Sequence, residues 1–240
     1  MKITKITSLI LALSLTIAIL VSCGNTEPKY EDLALKTTEI ITCRNNSWEI
    51  KGIIDYESSN ISETDAIVVN STSENIAKYE NNKLVFGNEY GEATVEIIVG
   101  NKKGSINVKV VPYLNYLNAQ ATKDGASGFT KMDYYASSWL INNLSAFKNP
   151  SSVSVEDVLY VEGTVSSSGF NASYLIMEVR AQNGFGGYSV EYYKVSSGSI
   201  EVATVSSYNG LFKSYNGQSL YCGGGYSVNK AVKEYISENY

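Results

Sequence analysis

The sequence contains no histidine. That absence excludes Ser-His-Asp and Cys-His catalysis, histidine-ligated zinc and imidazole pH switching. Arginine is nearly missing too: Arg44 and Arg180 are the only two. Clustered bidentate capture of phosphate is therefore not expected. Three cysteines occur, Cys23, Cys43 and Cys222, with no C-x-x-C, so neither a thioredoxin-like motif nor a cysteine zinc site is indicated. The P-loop pattern is absent. Gly184-Phe185-Gly186-Gly187 fails the dinucleotide fingerprint because position 189 is serine, and Gly223-Gly224-Gly225 has Val228 where the last glycine belongs. Both glycine runs read as tight turns. Positive charge is scarce as well: the net charge is −5, so nucleic acid is not an expected partner. What remains is 240 residues, 44% hydrophobic and 18% charged, enough for a buried core and one or two domains.

The first segment gives an address. Lys2 and Lys5 precede an uncharged, mostly apolar run, Ile6 to Val21. It is short for a span and contains Thr7, Ser8, Ser14 and Thr16. A charged start, an apolar stretch and small residues before a cleavage point make a secretory signal over 1–22. Leu20-Val21-Ser22-Cys23 then resembles the lipobox of bacterial lipoproteins. The resemblance implies diacylglyceryl transfer to the Cys23 thiol and cleavage before it. The mature chain would keep 218 residues, carry −7 and be held to a membrane by its lipid, outside the cytoplasm. The expected location is the cell envelope, at an outer membrane or cell surface. Cys43 and Cys222 fall in different expected domains, so no internal disulfide is expected, and both read as small apolar residues.

Residues 23–32 are polar and read as a tether. From 33 to 111 the signal is β. Ile50–Ile54, Ala66–Val69, Lys83–Phe86, Ala93–Val99 and Ser105–Val110 are short β-branched runs separated by Asn, Gly and Ser. Asn101-Lys102-Lys103-Gly104 reads as a hairpin turn. Short strands at this spacing predict a β-sandwich. Glu74 to Tyr79, then Asn82 to Val85, then Tyr90-Gly91-Glu92-Ala93-Thr94-Val95 resemble the bacterial Ig-like domain, group 2. That family implies a spacer or adhesive module and brings no catalytic residue with it. Val69-Asn70 stand where that family often has a tryptophan before its serine-rich turn.

Pro112 marks a boundary, and 112–129 reads as a linker. Residues 130–240 predict a small α+β domain in the order helix, antiparallel meander, helix. Thr130-Lys131-Met132-Asp133 has the spacing of a capping box. Met132, Ala136, Leu140, Leu144 and Phe147 follow at helical spacing, up to Asn149-Pro150. Trp139 on this helix reads as core rather than as a ligand platform. Strands are expected at 153–165, 174–181, 188–195 and 200–206. Ser227 then caps a last helix with the stripe Val228, Ala231, Val232, Tyr235 and Ile236. A helix, then Asn149-Pro150-Ser151-Ser152-Val153, then a strand ending in Ala181-Gln182-Asn183-Gly184-Phe185-Gly186-Gly187-Tyr188 resembles domains of secreted bacterial proteins, and the resemblance implies no activity.

No catalytic residue, cofactor or metal ligand is expected. Asp55/Glu57 and Glu63/Asp65 read as solvated acidic loops, with a calcium site the less favoured reading. Glu156 and Asp157 are neighbours that face opposite ways on a strand. Ser227-x-x-Lys230 lacks the companion motifs of penicillin-binding enzymes. Tyrosine is the one enrichment: 19 in all, 15 of them after residue 112. Tyrosine suits half-buried strands, and it also suits partner surfaces. A contact surface, if built from these rings, is placed at Phe185, Tyr188, Tyr192 and Tyr193. The expected function is a lipid-anchored, non-enzymatic protein whose Ig-like module presents a domain binding protein or glycan. The alternatives are a carboxylate-dependent hydrolase in the second domain, or a purely structural envelope component.

Overall fold

A computed structural model describes residues 29–166, 169–196, 200–203 and 226–240. The expected signal segment, Cys23, Cys222 and Gly223–Gly225 lie outside them. The fold is mostly β, in three sheets, with a few helices.

The first sheet joins β7 (Gly91–Val99) to β4 (Ile67–Ser71) on one side and to β8 (Lys102–Val110) on the other. The free edge of β8 takes two short strands in parallel, β1 (Glu31–Asp32) and β2 (Glu39–Thr42). The second sheet orders β3 (Ser47–Glu49), β6 (Lys83–Phe86) and β5 (Ala77–Glu80). Both sheets feed one apolar core. Ala93, Val95, Ile97 and Val99 of β7 and Ile106, Val108 and Val110 of β8 meet Ile40, Leu84 and Phe86 there. The period-two alternation of β7 and β8 is the cause, since every second residue shares a face. Asn81 and Asn82 both have positive φ, 51° and 62°, which is what a two-residue hairpin between β5 and β6 demands.

Three sequence expectations change in this half. Ile50–Ile54 is not a strand: Ile50–Gly52 is a 3₁₀ turn, followed by α1 (Tyr56–Ser59). Ile50, Ile53 and Ile54 are all fully buried, so their composition reported burial and not local geometry. The tether 23–32 yields its last two residues to β1. The β7–β8 turn sits at Gly100, φ 60°, and β8 already begins at Lys102.

The second half starts without a linker. The segment expected to be irregular, 112–129, holds α2 (Tyr113–Ala121), which buries Tyr113, Leu117 and Ala121. Its apolar residues recur every four positions but are interleaved with Asn and Gln, which masked the stripe. Next, α3 spans Gly128–Asn142 and is capped by Ser127, which accepts from Thr130 N at 3.2 Å. The Thr130–Asp133 capping box is thus displaced by one turn. A 3₁₀ turn, Leu144–Ala146, ends the helical run before Asn149. The antiparallel sheet runs β12 (Ile200–Ala203), β11 (Tyr188–Ser196), β10 (Gly169–Gln182) and β9 (Asn149–Ser166). The last helix, α4 (Tyr226–Asn239), packs with α2 and α3 on one face of that sheet. Val153 and Val155 share this face with Val158 and Tyr160, although the spacing is odd. The register between β9 and β10 shifts between Val155 and Asp157, and the bulge at Glu156 restores the apolar parity.

The two halves meet along α4. Cys43, just after β2, is buried in the core of the second half. Arg44 Nη2 bonds Glu234 at 2.8 Å and Glu238 at 2.7 Å, and the guanidinium lies 4.3 Å from the Tyr90 ring centroid. Tyr90 donates to Glu238 at 2.5 Å. Tyr113 N, at the start of α2, donates to the other Glu234 oxygen. Lys230 sits 4.2 Å from the Tyr113 ring centroid and 3.8 Å from Cys43 Sγ.

Two outcomes follow. Arg44→Ala leaves two carboxylates one turn apart without their shared cation, at a cost of about 2 kcal/mol. Calorimetry is expected to show the unfolding transition splitting in two, and an unchanged melting profile would refute the coupling. At Gly87, an added Cβ would lie 1.8 Å from the Asn75 carbonyl oxygen. Gly87→Ala is expected to lower stability by about 3 kcal/mol, read as a fall in the urea midpoint.

Candidate functional site

The inner face of the β10–β11 hairpin changes character along its length. On β10 the inward residues run Leu175, Met177, Val179, Ala181, shrinking toward the turn. On β11 they run Val195, Tyr193, Glu191, Ser189, turning polar. Helix α3 stops at Asn142 and does not cover this end. The result is an open cleft of ≈ 360 Å³ between the helix end and the hairpin, lined on the helix side by Trp139, Asn143, Phe147 and Lys148. The size lies in the ordinary range of small-molecule sites.

The walls are braced by hydrogen bonds. Asn143 Nδ2 donates to Trp139 O at 2.8 Å, fixing the helix end. Gln182 Oε1 accepts from Asn149 Nδ2 at 2.6 Å, and Gln182 Nε2 donates to Gly186 O at 2.9 Å. Asn183 Oδ1 accepts from Phe185 N and Gly187 N, which pins the turn between the strands. The Trp139 and Tyr193 rings stand 4.8 Å apart at 49°. Tyr193 donates to Glu191, and burial together with that bond raises its phenol pKa. Trp139 packs on the core, as its helical position predicts, and it also forms a wall of the cleft.

The four proposed contact residues do not form one surface. Phe185 is wholly exposed at the tip of the hairpin. Tyr188 is 55% exposed and lies under the Arg180 guanidinium at 4.3 Å. Tyr192 shares the parity of Tyr188, is half-buried and donates to Glu178 at 3.2 Å. Tyr193 has the opposite parity and is buried on the helix side, where it lines the cleft. Alternation of adjacent side chains separates Tyr192 from Tyr193.

The acidic loops have local partners. Asp55 caps α1 by accepting from Ser58, and Glu63 pairs with Lys51 at 2.9 Å. Among the described residues no group of three His, Cys, Asp or Glu side chains is placed to hold a metal ion. Burial raises the pKa of the Cys43 thiol, which disfavours the reactive thiolate.

One group escaped sequence reading. Asp133, taken as a capping residue, is half-buried at the margin of the second core, where Tyr160 donates to it from β9. Desolvation lifts its pKa from 3.8 to about 6, against the opposing pull of hydrogen bonds from Tyr160 and Ser227. The available signal was its place beside Met132 and one turn before buried Ser137, at the margin of the apolar stripe. The raised value has a definite sign. The folded state binds this proton more tightly than the unfolded chain does. Its stabilisation is therefore complete below about pH 4 and lost as pH rises through 6. A difference of this size is worth about 3 kcal/mol. Chemical denaturation between pH 4 and 7 is expected to show that loss, and Asp133→Asn is expected to flatten it. A slope identical in both proteins would refute the assignment.

No family model matches the chain, and no curated protein matches it. Among solved structures it is similar to the crystal structure of the S-layer protein rSbsC, at 13% identity and a TM-score of 0.25, covering 74% of this chain and 26% of that one. It is also similar to domains 5–6 of the S-layer protein SbsC, at 13% identity and a TM-score of 0.25, covering 72% of this chain and 82% of that one. The chain thus spans about a quarter of the length of the first of these structures.

Proposed function

We propose that the chain is a lipid-anchored surface protein without a catalytic role, in which an Ig-like β-sandwich holds out a smaller α+β domain that binds protein or glycan. The sandwich reading is supported by two sheets that share one core. The helix–meander–helix reading is supported by α3, four antiparallel strands and α4, with α2 as an added first helix. The anchor rests on Leu20-Val21-Ser22-Cys23 and the apolar run before it.

The observation that carries the binding role is the lining of the cleft. It offers aromatic walls, amides and one carboxylate, Glu191. Glycoside hydrolysis uses two carboxyl groups that flank the scissile bond, and among the described residues the cleft has one. Acyl transfer by a nucleophile needs an adjacent base, and Ser189 has neither histidine nor lysine bonded to it among the described residues. Stacking and hydrogen bonding remain as what this lining can supply.

Cell fractionation with Cys23→Ser tests the anchor. Wild-type protein is expected in the membrane fraction in processed form, and the variant is expected to remain unprocessed. Protease added to intact cells is expected to degrade the wild-type chain. A Cys23→Ser protein processed and membrane-bound like wild type would sink the lipid anchor, and complete protection from the protease would sink the surface location.

A further inference from the structure

We infer that the cleft between the end of α3 and the β10–β11 hairpin binds one neutral sugar ring of a surface glycan; this rests on the reading of the chain as a surface binding protein and narrows its ligand to one class. A pyranose has an apolar C–H face and an edge of hydroxyls that both donate and accept. The cleft is divided the same way. Trp139, Tyr193 and Phe147 give aromatic surface, and Tyr193 is fixed by its bond to Glu191. Rings with a polar handle suit a ligand that is apolar on one face and wet on the other.

The polar groups are both donors and acceptors, and several are left over by the protein itself. Glu191 uses one oxygen for Tyr193 and has no described partner on the other. Asn183 spends its carbonyl oxygen on two backbone N–H groups and keeps its amide donors. Asn143 spends its amide nitrogen on Trp139 O and keeps its oxygen. Lys148 lines the cleft without an ion pair among the described residues. Two acceptors and two donors around aromatic walls match vicinal hydroxyls. A few placed polar groups in an otherwise apolar site are what fix a small ligand's orientation.

The same lining argues against other classes. An anion would meet one lysine and, across from it, one carboxylate, with no net positive field. A divalent cation would find a single carboxylate among the described residues of the lining. A lipid chain would bury the amides and both charges without partners, which is costly.

Tryptophan fluorescence gives a direct test, because Trp48 and Trp139 are the only two in the chain. The full-length protein carrying Trp48→Phe, held in a non-glycosidic detergent, leaves Trp139 as the sole reporter. It is titrated with glucose, galactose, mannose and N-acetylglucosamine, and separately with phosphate, glutamate and calcium. The expected result is a saturable change with at least one neutral sugar in the millimolar range, indifferent to salt. Glu191→Gln and Lys148→Ala, both at exposed positions, are each expected to weaken binding about tenfold with the melting temperature kept. No response to any sugar overturns the inference, as does a response only to phosphate, glutamate or calcium. Sugar binding unchanged in both variants places the site elsewhere and also overturns it. A protein that is anchored and surface-exposed yet silent to sugars loses this inference and keeps the surface reading. A protein that binds sugar but fractionates with the cytoplasm loses the surface reading alone.

Discussion

One guanidinium ties the first half of the molecule to the last helix of the second. Arg44 sits at the end of β2, between the first core and α4, and serves Glu234, Glu238 and the Tyr90 ring at once. Glu234 is only 13% exposed, so its charge needs every partner it has. One of its oxygens takes Arg44. The other takes the first N–H of α2, at the positive end of that helix dipole. Lys230, Glu234 and Glu238 recur every fourth residue, so a single face of α4 carries its ionic part of the contact, while α2 packs against β2 and Cys43 enters the second core beside it. The opposite stripe of the same helix, Val228, Ala231, Val232 and Ile236, closes the second core. The last helix is therefore both the cover of one sheet and the strut against the other unit. Removing one partner of such a network strands a partly buried charge, which is where its energetic weight lies.

The cleft is a consequence of where that packing runs out. Helices α3 and α4 cover the inner sheet face only as far as the apolar bulk of β9, β10 and β11 extends. At the hairpin end Ala181 and Ser189 are too small to reach a helix, and Glu191 would resist burial beneath one. The backbone there is instead tied by side chains, Asn183 within the turn and Gln182 across to β9. The wall is thus braced by the protein's own hydrogen bonds. Trp139 belongs to both regimes, with one part in the core and one at the opening.

Legibility followed physical cause. Strands β6 to β8 and β9 to β11 could be read because a half-buried sheet forces alternation on the sequence. The final helix could be read for the same reason at period 3.6, and four of its five expected stripe residues are buried, with Tyr235 at the rim. Residues 50–54 misled because isoleucine reports burial, and a fully buried turn and a fully buried strand have the same composition. Helix α2 was missed because Asn and Gln dilute its stripe. Its start is instead fixed by Glu234, 121 residues away. The bulge at Glu156 and the depth of Asp133 depend on neighbours that no local window contains.

The exclusions and the periodicities follow from composition and local pattern alone. Without histidine and with two arginines, whole classes of chemistry were closed, and the alternating runs committed the chain to β structure. The Cys23 pattern on which the proposed anchor rests belongs to the same level, since it is a short linear motif. Packing in three dimensions brings Arg44 to Glu234 and gathers Trp139, Asn143, Asn183 and Glu191 around one cleft. Periodicity is local and survives in one dimension. A site is a meeting of residues from separate elements, and its position depends on where packing stops.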